Sequence, residues 1–263
     1  GNLENSGTIT IAEDGTLSFT GDGTTQTISK PLSLTGNLNI ASSAKLSASS
    51  AVSILCTDFA NAGTFSSAGA LTVKGDFSEY GIDSGTCLIT LSRNAKQFLE
   101  LKDTTTYPAM VFANTGTEGV EFKNALISDK ITINCNFTFT DYSTVTSNKT
   151  FAIVQPVVIS GNTTLKSNTK IVSSNTGTVD GVYALTLEAP EIELPVLIGG
   201  TTKPASVSLT ATSATTDTCK NSVSGGISAA GDISFTGGLL LDGGAQVLYA
   251  SGDVSVSGGI GKV

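Results

Sequence analysis

The stretch Ser228-Ala229-Ala230-Gly231-Asp232-Ile233-Ser234-Phe235 returns as Tyr249-Ala250-Ser251-Gly252-Asp253-Val254-Ser255-Val256. The shift is 249 − 228 = 21 residues. Each copy carries a Gly-Asp turn followed by an apolar–Ser–apolar triplet. Period-two alternation puts the apolar side chains on one face of a strand and the hydroxyls on the other. A short strand and a turn that recur at this distance suit one coil of a β-solenoid. Coils of that kind stack at about 4.8 Å, the ordinary spacing of paired strands. No coil buries its apolar face alone, so stability comes from stacking on its neighbours. The reading is an all-β parallel β-helix (β-solenoid) of about 21 residues per coil, one domain over residues 1–263, with roughly 12 coils in a rod of about 60 Å.

The same alternation recurs outward from this pair. It is seen in Thr8-Ile9-Thr10-Ile11, Leu38-Asn39-Ile40, Leu71-Thr72-Val73, Ile131-Thr132-Ile133 and Val207-Ser208-Leu209. A turn word, Asn-x-Gly-Thr, occurs four times, with its key residues at Asn5 and Gly7, Asn61 and Gly63, Asn114 and Gly116, and Asn175 and Gly177. The shifts are 61 − 5 = 56, 114 − 61 = 53 and 175 − 114 = 61 residues, read as two to three coils of unequal length. A β-sandwich also has short strands and frequent turns, but it gives no reason for a turn word to recur down the chain. The stretch from Ser92 to Pro108 holds Arg93, Lys96, Glu100, Lys102 and Asp103, the densest charge in the chain. It reads as a loop excursion, a short helix or an irregular coil, and Pro108 argues against a long helix.

Composition narrows function. Charged residues are only 14% and aliphatic residues recur regularly, the opposite of a disordered chain. With a net charge of −8 and a single arginine, Arg93, no basic face is available for nucleic acid or an anionic membrane surface. Histidine is absent, which removes Ser/His/Asp and Cys/His catalysis and most zinc sites. No apolar run reaches the length of a membrane-spanning helix, so no membrane insertion of this segment is expected. Both ends read as repeat sequence, so the chain is expected to be a mature chain or a fragment of a longer repeat protein.

The words Gly1-Asn2-Leu3-Glu4-Asn5-Ser6-Gly7-Thr8-Ile9, and Ala62-Gly63-Thr64-Phe65 followed by Ala70-Leu71-Thr72-Val73-Lys74-Gly75-Asp76-Phe77, resemble the repeats of filamentous-haemagglutinin-type adhesins and related autotransporter passengers. The resemblance implies a right-handed parallel β-helix on a Gram-negative outer surface, extracellular or at the cell surface. It implies adhesion to a glycan or protein of a host or neighbouring cell. No binding residue of that family carries over. Self-association into a filament, sheath or surface layer is the second expectation, and a polysaccharide-degrading β-helix the third.

The remaining candidates have bland readings beside functional ones. Cys56, Cys87 and Cys135 share parity with apolar neighbours, so inward-facing thiols are the natural reading. Cys219 makes the count even, and a disulfide between Cys56 and Cys87 stays open. Glu191 and Glu193, near Glu188, share a strand face and could serve glycoside hydrolysis, or simply form a solvated outer face. Asp22, Asp76, Asp232, Asp242 and Asp253 adjoin glycine, but the nine-residue calcium-binding repeat is missing, so turns explain them better. Asn136, Asn148 and Asn162 begin N-glycosylation triplets of the kind a Thr-rich chain produces by chance. Neither a catalytic residue, a metal ligand nor a cofactor is expected.

Overall fold

In the computed structural model, residues 3, 9–12, 14–102, 106–122, 125–140, 143–174, 176–213, 220–242 and 246–262 are described. Among them all regular secondary structure is strand, and no helix is long and apolar enough to cross a membrane. The chain is a parallel β-solenoid of about 21 residues per turn and about 11 turns. It divides into two compact units, Gly1–Glu121 with Leu126–Asp129, and Phe122–Ala125 with Lys130–Val263.

Each coil contributes three short strands, one to each of three faces; the parallel strands form four sheets, because the second face is divided between a four-stranded and an eight-stranded sheet. In the first unit one coil runs Phe59–Asn61, Thr64–Ser67, Ala70–Val73, and the next runs Phe77–Glu79, Ile82–Gly85, Leu88–Leu91. Phe59 lies beside Phe77, Phe65 beside Asp83, and Leu71 beside Ile89. In the second unit Val157–Ser160, Thr163–Ser167, Lys170–Ser173 is followed by Thr178–Gly181, Leu185–Ala189, Glu191–Leu194. The quoted 21-residue echo is one coil, since Ile233 pairs with Val254 and Phe235 with Val256. Coil length varies, from 71 − 54 = 17 residues between Ile54 and Leu71 to 221 − 192 = 29 between Ile192 and Asn221.

Alternation along each strand builds the core. Val145, Leu165, Leu187, Leu209 and Phe235 form one buried column in the second unit, each in register with the next. Full burial of such a side chain stabilises by roughly 1.5–3 kcal/mol, which accumulates only as coils are added. In the first unit the Phe59 and Phe77 rings stack with centroids 5.2 Å apart, and Phe65 meets Phe59 edge-on at 5.5 Å.

Asx side chains tie successive coils together just before a strand begins. Asn37 Oδ1 accepts the Asp58 N–H (3.1 Å), Asp58 Oδ1 that of Asp76 (2.7 Å), and Asp76 Oδ1 that of Phe98 (3.0 Å). In the second unit Asp232 Oδ1 accepts the Asp253 N–H (2.9 Å). Asp76 and Asp232 thus stand beside glycine because a short acceptor is needed at a coil corner. The charge-dense stretch after Ser92 holds no helix among its described residues, and Asp103 lies outside them. It carries the strand Gln97–Leu101, and Arg93 pairs with Asp76 at 2.9 Å.

Candidate functional site

The Asn-x-Gly-Thr word is a turn built from one side chain. Asn61 ends its strand buried, and its Oδ1 accepts the Gly63 N–H at 3.0 Å. Asn114 does the same with Gly116 at 2.7 Å. This local ring satisfies a backbone donor that the turn would otherwise leave buried and unpaired. The amide groups reach across to the next or previous coil: Asn61 Nδ2 donates to Glu79 Oε1 (2.7 Å), and Asn114 Nδ2 to the Ala95 carbonyl (2.8 Å). The two copies occupy different corners, however. Asn61 ends a strand of the first face and Asn114 follows one of the third, so their spacing is not a whole number of coils. Gly177 precedes a first-sheet strand, the corner type of Asn114, while Asn5, Gly7 and Asn175 lie outside the described residues.

Gly63 and Gly116 are spacers. A Cβ at Gly63 would press into the carbonyl oxygens of Ala41 and Ala44, and one at Gly116 would lie 2.8 Å from the Ala95 nitrogen. Backbone atoms of a stacked coil cannot step aside as a flexible side chain can. Gly63→Ala is therefore expected to destabilise the protein by about 1–3 kcal/mol, read from the midpoint of urea unfolding. An unchanged midpoint would show that the corner is loosely packed.

The disulfide left open between Cys56 and Cys87 is not formed, and both are buried free thiols. Cys56 is in register with Val73, which pairs with Leu91, four residues beyond Cys87. Two coils and four residues separate the pair, roughly 10 Å in one direction and 13 Å in the other, against a Cα reach of about 7 Å. Burial pushes both thiols up to about 12. Cys135 is buried too, as its parity predicts, and Cys219 lies outside the described residues.

Glu191 and Glu193 do share an outer face, and cations hold them there. Lys170 pairs with Glu193 and lies 3.8 Å from Glu191, Lys220 lies 3.6 Å from Glu191, and Lys166 meets Glu188 at 2.8 Å.

The most regular surface belongs to the second sheet of the second unit. Thr144, Thr164, Thr186, Ser208, Ser234 and Ser255 form one outward rank in register. Thr146, Lys166, Glu188, Thr210, Thr236 and Ser257 form the rank beside it. The only charges in these ranks, Lys166 and Glu188, neutralise each other. The face therefore offers hydroxyl donors and acceptors at coil spacing with no net charge. Near the corner leading to it, Val158, Asp180, Val182, Tyr183, Thr201 and Thr202 line an outer groove of about 480 Å³. Asp180 Oδ1 is occupied there by the N–H groups of Thr201 (2.8 Å) and Thr202 (3.1 Å).

Sequence reasoning foresaw the hydroxyl face as a class, from alternation. It missed a pair of carboxylates inside the first unit, Glu79 and Asp83. For Glu79 a signal existed: Phe77-Ser78-Glu79 gives it the parity of the inward phenylalanine. No protein-family model, curated protein or solved structure matches the chain.

Proposed function

We propose that this chain is an exported, non-catalytic surface protein, adhesin-like in the manner of filamentous-haemagglutinin repeats, whose hydroxyl-lined face adheres to a glycan or protein of a host or neighbouring cell. The observation that carries the reading is the pair of aligned Ser/Thr ranks in the second unit. Such a face makes many weak, similar hydrogen bonds, and its strength comes from repetition rather than from one pocket. The pairing of Glu191 and Glu193, the carboxylates that could form a glycosidase pair, with lysine supports the non-catalytic reading.

The test is binding of the purified chain to arrayed glycans and extracellular-matrix proteins. Replacing Thr186 and Ser208 by lysine, which puts charge in the middle of the ranks, is expected to reduce binding at least about tenfold, the equivalent of about 1.4 kcal/mol. The circular dichroism spectrum should stay unchanged. Binding that survives this change removes the face from the mechanism. Ordered polymers in negative stain, with no binding to either array, would move the reading to a self-assembling filament. Oligosaccharide release from a polysaccharide panel, lost in the Glu191→Gln, Glu193→Gln double variant, would make the chain an enzyme.

A further inference from the structure

Glu79 ends the strand Phe77–Glu79 at 0% exposure, and Asp83 lies in the strand Ile82–Gly85 at 5%. Glu79 Oε1 accepts two hydrogen bonds, from Asn61 Nδ2 (2.7 Å) and from the Gly81 N–H (3.1 Å). Its Oε2 and both oxygens of Asp83 have no hydrogen-bond partner among the described residues. Asp83 acts on Glu79, and both act on the buried Cys87 thiol, so the three side chains share one region of the interior. No lysine or arginine figures among the groups acting on either carboxyl. The four-stranded sheet of the first unit ends at Ile82–Gly85; Asp83 lies beside Phe65 in it, and the strand Thr106–Tyr107, which belongs to another sheet, also contacts Ile82–Gly85.

Two buried carboxyls without a cationic partner must be neutralised in some other way. Protons can remove the charge, but in the structure no donor reaches Glu79 Oε2 or either oxygen of Asp83 among the described residues. A buried acceptor without a donor is itself unfavourable. A cation satisfies all three open oxygens at once.

We propose that Glu79 Oε2 and the two carboxylate oxygens of Asp83 hold a divalent cation of calcium type inside the first unit. Two negative charges against two positive leave the interior neutral. Asp83 offers both oxygens to one ion, the bidentate mode that calcium takes readily. Among the described residues no group of three or more His, Cys, Asp or Glu side chains is placed to hold a metal. The other positions therefore fall to carbonyl or water oxygens, which calcium accepts in irregular geometry. Magnesium demands an octahedron and retains several waters.

The experiment is thermal unfolding of the whole chain at neutral pH, first in EDTA and then with CaCl2 or MgCl2 in excess. Calcium is expected to raise Tm by about 5 °C or more, and magnesium by less. The Glu79→Gln, Asp83→Asn double variant should lose the calcium shift, and in EDTA it should melt no lower than the parent. Ser78→Ala, an outward neighbour, should keep the shift. A second measurement needs no variant: elemental analysis of protein refolded with CaCl2 and then desalted should find calcium and chain in equal amounts. Metal-free protein with the same Tm in EDTA and in CaCl2 overturns the proposal.

Discussion

With the metal chelated, raising the pH from 5 to 8 is expected to lower the melting temperature of this protein, and the double change Glu79→Gln, Asp83→Asn should remove most of that slope. Burial is the first cause in both groups. It pushes Asp83 up to about 7 and Glu79 up to about 8, the latter against the pull of its hydrogen bonds from Asn61 and Gly81 and with a further push from Asp83. In the unfolded chain both titrate near 4. Between about pH 4 and pH 8 the folded chain therefore binds more protons than the unfolded one, and stability falls as pH rises through that window. Below it the contribution is flat because both states are protonated, and above it because both are ionised. Each proton taken up on folding is worth about 1.4 kcal/mol per pH unit, so the pair costs on the order of several kcal/mol across the window. Cys87 does not interfere, because its thiol stays protonated up to about 12. The difference between parent and double variant isolates the buried pair, and parallel curves for the two would show that the carboxyls are not sealed from water.

Phe77→Ala is expected to cost about 3–5 kcal/mol, a fall of about 10 °C in Tm. Phe77 is fully buried, stacked on Phe59, and in register with Leu99 on the following coil. In a solenoid a coil touches only its neighbours, so the cavity left by the ring cannot be filled by distant parts of the chain. Phe77→Leu keeps most of the volume and should cost less than half as much. Ser78→Ala, on the outer face of the same strand, should stay within about 0.5 kcal/mol of the parent. Urea denaturation of the three variants checks the order. Equal losses for Phe77→Ala and Ser78→Ala would mean that the inner and outer faces of this strand are misassigned.

Much of the architecture is legible in the sequence. The Gly-Asp echo has the coil length that the register of Ile233 with Val254 shows. The inward parity of Cys56, Cys87 and Cys135 followed from apolar neighbours two residues away. The unequal spacing of the Asn-x-Gly-Thr words was readable only as a number. Its cause is that Asn61 and Asn114 turn different corners, and a turn depends on its own four residues, not on the sheet it leaves. The pairing of Glu191 and Glu193 with Lys170 and Lys220 was out of reach, because those lysines lie on the coils before and after.

Alternation and the 21-residue echo, by themselves, determine that this chain winds into stacked coils with aliphatic residues within and hydroxyls without. Only the assembled structure decides which parity wins where local pattern and stacking disagree. In Ile82-Asp83-Ser84 the local pattern sends the isoleucine in and the aspartate out, yet Ile82 is 56% exposed and Asp83 5%. The strand has no freedom to choose: the Ile82 N–H bonds the Gly63 carbonyl, which sets Ile82 beside Thr64 and Asp83 beside Phe65. A slip of one residue would satisfy both side chains, but it would break that ladder and turn Gly85 out of its place beside Ser67. Register is a property of the whole stack, and here it overrides the preference of a single aspartate.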